Sequence, residues 1–118
     1  MTIREISFVY PLLRTLSLSK DLEASRKTFL DGFLAKLKPF VDDLTTKKDA
    51  LIVKHGERFG DLEKFKLRTK EQNDNFKAEM RQYKSGDVNA HLNANETALF
   101  EQLLWNALLG GYEDFPEV

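Results

Sequence analysis

The chain of 118 residues is 42% hydrophobic and 31% charged, with a formal net charge of −1. That balance fits one folded domain and argues against a disordered chain or a strongly basic nucleic-acid binder. It contains no cysteine, which excludes disulfides, thiolate zinc sites and cysteine nucleophiles. Its apolar runs are too short to span a bilayer, and MTIREISFVYPLL lacks a small-residue cleavage site, so a cytoplasmic protein with no signal peptide and no membrane contact is expected.

Residues 3–18 hold Ile3, Ile6, Phe8, Val9, Leu12, Leu13, Leu16 and Leu18, mostly at helical spacing and almost all on one broad face. Pro11 removes one backbone donor and disfavours helix at Tyr10, so the segment is read as a kinked helix or as a short one beginning near Pro11. Ser17, Ser19 and Asp21 then form a turn short enough to imply an antiparallel helical hairpin.

The hairpin's second arm, from Asp21 to about His55, dominates the chain. Leu22, Phe29, Phe33, Leu37, Phe40, Leu44 and Leu51 recur at spacings of three, four and seven, which predicts one long amphipathic helix. Ser19 is the expected N-cap, and Lys54, His55 and Gly56 mark the end, with Gly56 expected in a left-handed cap. At about 1.5 Å per residue such a helix would be roughly 50 Å long, with a kink expected at Pro39. Helices of three to four turns would not cover it, so part of its stripe is expected to need a partner chain.

After Gly56 the pattern changes. Phe65 and Leu67 alternate with Lys64, Lys66 and Arg68, and Val88, Ala90 and Leu92 alternate with Asn89 and His91. Period two predicts two short strands, which are expected to pair as an antiparallel ribbon around an intervening helix. That helix is expected to be capped by Thr69, to carry Phe76, Met80 and Tyr83, and to stop at Ser85-Gly86. A last helix is expected over Ala98 to Leu109, begun by Asn95-Glu96-Thr97 and ended by Gly110-Gly111, with a wide apolar face. The predicted fold is mainly α and forms a single domain, 1–118. It comprises a helical hairpin with a long kinked central helix, a small β-ribbon plus helix insertion, and a C-terminal helix.

Charge is polarised along this order. Residues 1–56 hold ten Lys/Arg against seven Asp/Glu, residues 57–84 eight against six, and residues 85–118 six acids and no base. An acidic last third and a basic first part suggest docking within the chain or between copies.

Chemical motifs are lacking. There is no Gly-rich phosphate loop, HExxH or nucleophile elbow, and His55 and His91 fall in different elements, so an enzyme is not expected, and no metal or cofactor. Lys64, Lys66, Arg68 and Lys70 around Phe65 are the one nucleic-acid-like feature, but Asp61, Glu63 and Glu71 flank them, so a solvated strand face is favoured and nucleic acid disfavoured. The candidate partner-binding residues are therefore apolar: Phe40, Leu44 and Leu51 on the long helix, Trp105 on the last helix, and Phe115 in the acidic end.

Several stretches resemble short helical proteins of unassigned role encoded by tailed bacteriophages, over roughly residues 1–93. These are the opening I-x-x-V-x-P-x-L-x-x-L from Ile6 to Leu16, the L-K-P-F at Leu37 to Phe40, the helix end K-K-D-A-L-I-V-K-H-G-E at Lys47 to Glu57, and D-V-N-A-H-L at Asp87 to Leu92. The resemblance implies a phage-encoded protein in the host cytoplasm or virion and transfers no site residues. With the architecture it points to an interaction or assembly protein that self-associates, as a dimer, or docks a partner through the long helix. A small inhibitor of a host enzyme is the alternative, and a nucleic-acid accessory protein comes third.

Overall fold

Thr2 and Glu5 start the first helix by satisfying each other's backbone. Thr2 Oγ1 accepts from the Glu5 amide at 3.1 Å, and Glu5 Oε1 accepts from the Thr2 amide at 2.7 Å. In the computed structural model, which describes residues 1–59 and 64–109, α1 therefore runs from Ile3 to Ser17, straight through Pro11. The proline is tolerated because it sits on the exposed face, opposite buried Ile6, Val9 and Leu13. Of the two readings of this segment, the late start at Pro11 is excluded.

α2 spans Ala24–His55, 32 residues or about 48 Å of helix, and accounts for the 50 Å long dimension of the molecule. It begins three residues later than expected. Glu23, not Ser19, occupies the N-cap position and makes no side-chain capping bond. The helix continues through Pro39, whose ring is exposed.

Two separate cores lie along α2. Over its first half, Leu30, Phe33 and Leu37 pack with Ile6, Val9 and Leu13 of α1, with Ala90, and with Phe100 and Leu103 of the last helix. Over its second half, Leu51 packs with Phe76 and Met80 of α3 (Lys70–Lys84), flanked by Leu44, Ile52 and Leu67. Phe33, Leu37 and Leu103 are buried as the stripe required. α1 and the last helix together cover the first half of the stripe and α3 the second, while Leu22, Phe29, Phe40 and Leu44 are left half-buried.

The ribbon differs from its expected pairing. Its strands are β1 (Glu57–Arg58) and β2 (Phe65–Lys66), antiparallel, with Glu57 opposite Lys66 and Arg58 opposite Phe65. Residues 88–93 form no strand. Their period two is one of burial: Ala90 is buried and Val88 and Leu92 half-buried against the first core. The backbone of this segment is tied to the start of the chain instead, with the Val88 amide donating to Met1 O at 2.9 Å and the Ile3 amide to Gly86 O at 3.1 Å. His91 has a positive φ of 55°, and its amide donates to Asn89 Oδ1 at 2.8 Å.

Gly56 ends α2 but is not left-handed, having φ −87° and ψ −176°. Glycine is required there by crowding, since a Cβ would meet Ile52 O at 2.5 Å and Lys66 O at 2.9 Å. β2 turns back against the helix end, and only a bare Cα lets it approach.

α3 starts as expected, with Thr69 and Gln72 forming a capping box, and stops at Ser85. α4 spans Ala94–Leu109, starting four residues earlier than expected. Asn93 Oδ1 accepts from the Glu96 amide at 2.8 Å, and Glu96 Oε1 accepts from the Asn93 amide at 3.0 Å. Asn93, rather than Asn95, is the cap. α4 is antiparallel to α1: Leu99 lies beside Leu16, and Leu104 and Leu108 beside Arg4 and Phe8.

Candidate functional site

The five residues singled out from the sequence have different fates. Leu51 is 3% exposed and occupied inside the second core, so it presents no surface to a partner. Phe40 and Leu44 are half-buried, Phe40 against the first core and Leu44 against the second, and so sit near the junction of the two. Trp105 is 62% exposed. Phe115 lies outside the described residues.

Trp105 has company that its spacing on α4 provides. Leu108 and Leu109, three and four residues on, are 42% and 69% exposed and share its side of the helix, while Phe100, Leu103 and Ala107 occupy the buried face. The apolar face of α4 is therefore wider than α1 and α2 can cover, and its surplus lies at the C-terminal end of the helix. Half-buried Leu104 and Phe8 extend the patch around a shallow hollow of about 220 Å³. Arg4 and Glu5 close its edge, the Arg4 guanidinium carbon lying 5.3 Å from the Phe8 ring centroid. α4 carries no Lys or Arg, so Arg4 is the cation nearest this patch in the hollow's lining. Leu108 and Leu109 were not singled out from the sequence, although the breadth of the α4 apolar face was a usable signal.

The two histidines lie apart in the fold. His55 Nε2 lies 2.8 Å from Glu79 Oε1, the oxygen that also accepts from Lys54 Nζ at 2.8 Å, and His91 is exposed at a distant turn. Hydrogen bonds from Lys54 and then His55 hold the Glu79 carboxyl below its usual pKa. Among the described residues no three His, Asp or Glu side chains are grouped to hold a metal ion.

On the ribbon, Lys66 and Arg68 lie over the exposed Phe59 ring at 5.5 and 5.9 Å, and Arg68 Nε is 3.5 Å from Glu57. Two of the four clustered cations are thus turned toward the chain's own ring and carboxylate. No helix among the described residues is long and apolar enough to cross a membrane. No family model, curated protein or solved structure matches the chain.

Proposed function

We propose that this is a non-enzymatic interaction or assembly protein, phage-encoded and acting in the host cytoplasm or in the virion, that self-associates or docks a partner protein. The observation that supports it best is the exposed cluster Trp105, Leu108 and Leu109 on a helix whose other face is fully used in the core. A large aromatic flanked by leucines, with Arg4 and Glu5 at the rim, has the composition of a protein–protein hot spot. Because α2 spends Phe33, Leu37 and Leu51 internally, we assign the docking surface to the end of α4, with the long helix as the spine that holds it. Light scattering across micromolar concentrations tests this reading. The wild-type chain is expected to reach twice the mass of one chain, and Trp105→Glu to stay at one. If both remain monomeric and neither captures a stoichiometric protein from bacterial lysate, the reading is overturned.

A further inference from the structure

At the opposite end of α4 from Trp105, a groove of about 540 Å³ opens between the end of α1, the start of α2 and the start of α4. Its walls are Leu16, Leu22, Phe29, Leu30 and Leu99, and its polar lining is Ser19, Ser25, Arg26 and Asn95. The volume lies in the range of small-ligand sites, though the groove is open to solvent along its polar side.

The polar groups here are exposed and have no partner among the described residues. Ser7, Thr15, Ser17 and Thr28 each give their hydroxyl to a carbonyl of their own helix, at 2.6, 3.0, 2.7 and 3.0 Å. The side chains of Ser19, Ser25 and Asn95 make no hydrogen bond to any described residue. The neighbouring cation Lys27 is occupied, donating to Ser17 O at 3.0 Å and pairing with Asp31 at 3.5 Å. Arg26, the one charged residue of the lining, has no ion pair with any described residue. An apolar trough with one exposed guanidinium at its rim, paired with no described residue, complements a molecule with an apolar body and one carboxylate, which the planar fork can bind through two donors.

We propose that this groove binds an amphipathic monocarboxylate, its chain lying among Leu22, Phe29 and Leu99 and its carboxylate on Arg26, with the Ser25 hydroxyl and the Asn95 amide available as further donors. A cationic head would meet Arg26 with like charge, and a neutral head would forgo the charge-assisted bonds.

Calorimetric titration of the full chain with decanoate and decyltrimethylammonium, each below its micelle concentration, and with decanol below its solubility limit, tests the assignment. Decanoate is expected to saturate at one per chain and to bind about tenfold more tightly than decanol, a difference of about 1.4 kcal/mol. Arg26→Leu is expected to bring decanoate down to the decanol value while leaving decanol and the melting temperature unchanged, since Arg26 is exposed and makes no ion pair with any described residue. Equal affinity for the three probes, no saturable heat, or a decanoate preference that survives Arg26→Leu overturns the site. Decanoate binding that weakens as the protein is concentrated shows that a second copy fills the groove, and overturns the small-ligand assignment.

Discussion

Lys36 Nζ lies 2.5 Å from Glu96 Oε1 and ties the middle of α2 to the first turn of α4. The Glu96 side chain is 4% exposed and that of Lys36 38%, so the pair is buried on one side only. The same carboxylate oxygen accepts from the Asn93 amide, so one side chain both caps α4 and docks it. Replacing Lys36 by Met would leave a buried carboxylate with only its cap bond. We expect a loss of about 2 kcal/mol in urea unfolding, with Glu96→Gln costing less because the amide keeps its acceptor oxygen.

Acid should act through the same pair. Burial alone would raise the Glu96 pKa, but the Lys36 hydrogen bond, the Asn93 amide and the Lys36 charge outweigh it, so the carboxyl sits below its usual value, as does Glu79. A depressed folded-state pKa means stability that is fully present above the unfolded-state value and is lost as pH falls through the folded value. Unfolding free energy should therefore be level from neutral pH to about 5 and decline below it. The decline should be shallower in Lys36→Met, and denaturant melts at a series of pH values would show an identical slope if the pair did not matter.

Phe33 and Phe76 are each fully buried, one in each core. Truncation to Ala should cost on the order of 3 kcal/mol at either site. Because α2 runs through both cores, a change in one should be felt across the whole chain. Hydrogen exchange in Phe76→Ala is expected to show faster opening in α1 as well as α3, and acceleration confined to α3 and the end of α2 would mean that the cores unfold separately.

Gly56→Ala should destabilise by about 2 kcal/mol, because the new Cβ collides with two backbone oxygens that cannot move aside as a side-chain tip would. A thermal melt at or above wild type would show that the helix end and β2 can separate without loss.

Trp105→Ala should leave the melting temperature of the isolated chain within about a degree, since an exposed residue contributes little to folding. The same change should abolish self-association. A large drop in stability would mean that Trp105 supports the fold rather than a partner.

The sequence by itself determined the elements whose cause is local. The 3.6-residue stripe from Phe29 to Leu51, the Thr69 cap, the stop at Ser85 and the buried trio Phe33, Leu37 and Leu103 all follow from periodicity and capping chemistry carried by neighbours in the chain. It also located the end of α2 at Gly56. The reason for that glycine, the approach of Lys66 from another element, is non-local and was out of reach. The same limit explains the ribbon: alternation marked residues 64–68 and 88–92 as period-two segments, but pairing is a choice between distant backbones, and residues 57–58 and the chain's first residues won. It explains the candidate site as well. An apolar side chain is equally apolar in a core or on a surface, so Leu51 and Trp105 read alike until α3 covered the first, and the packing of α4 on α1 and α2 left the second in solvent. Only tertiary structure decided which of them a partner can touch, because exposure depends on which other parts of the chain pack over a residue.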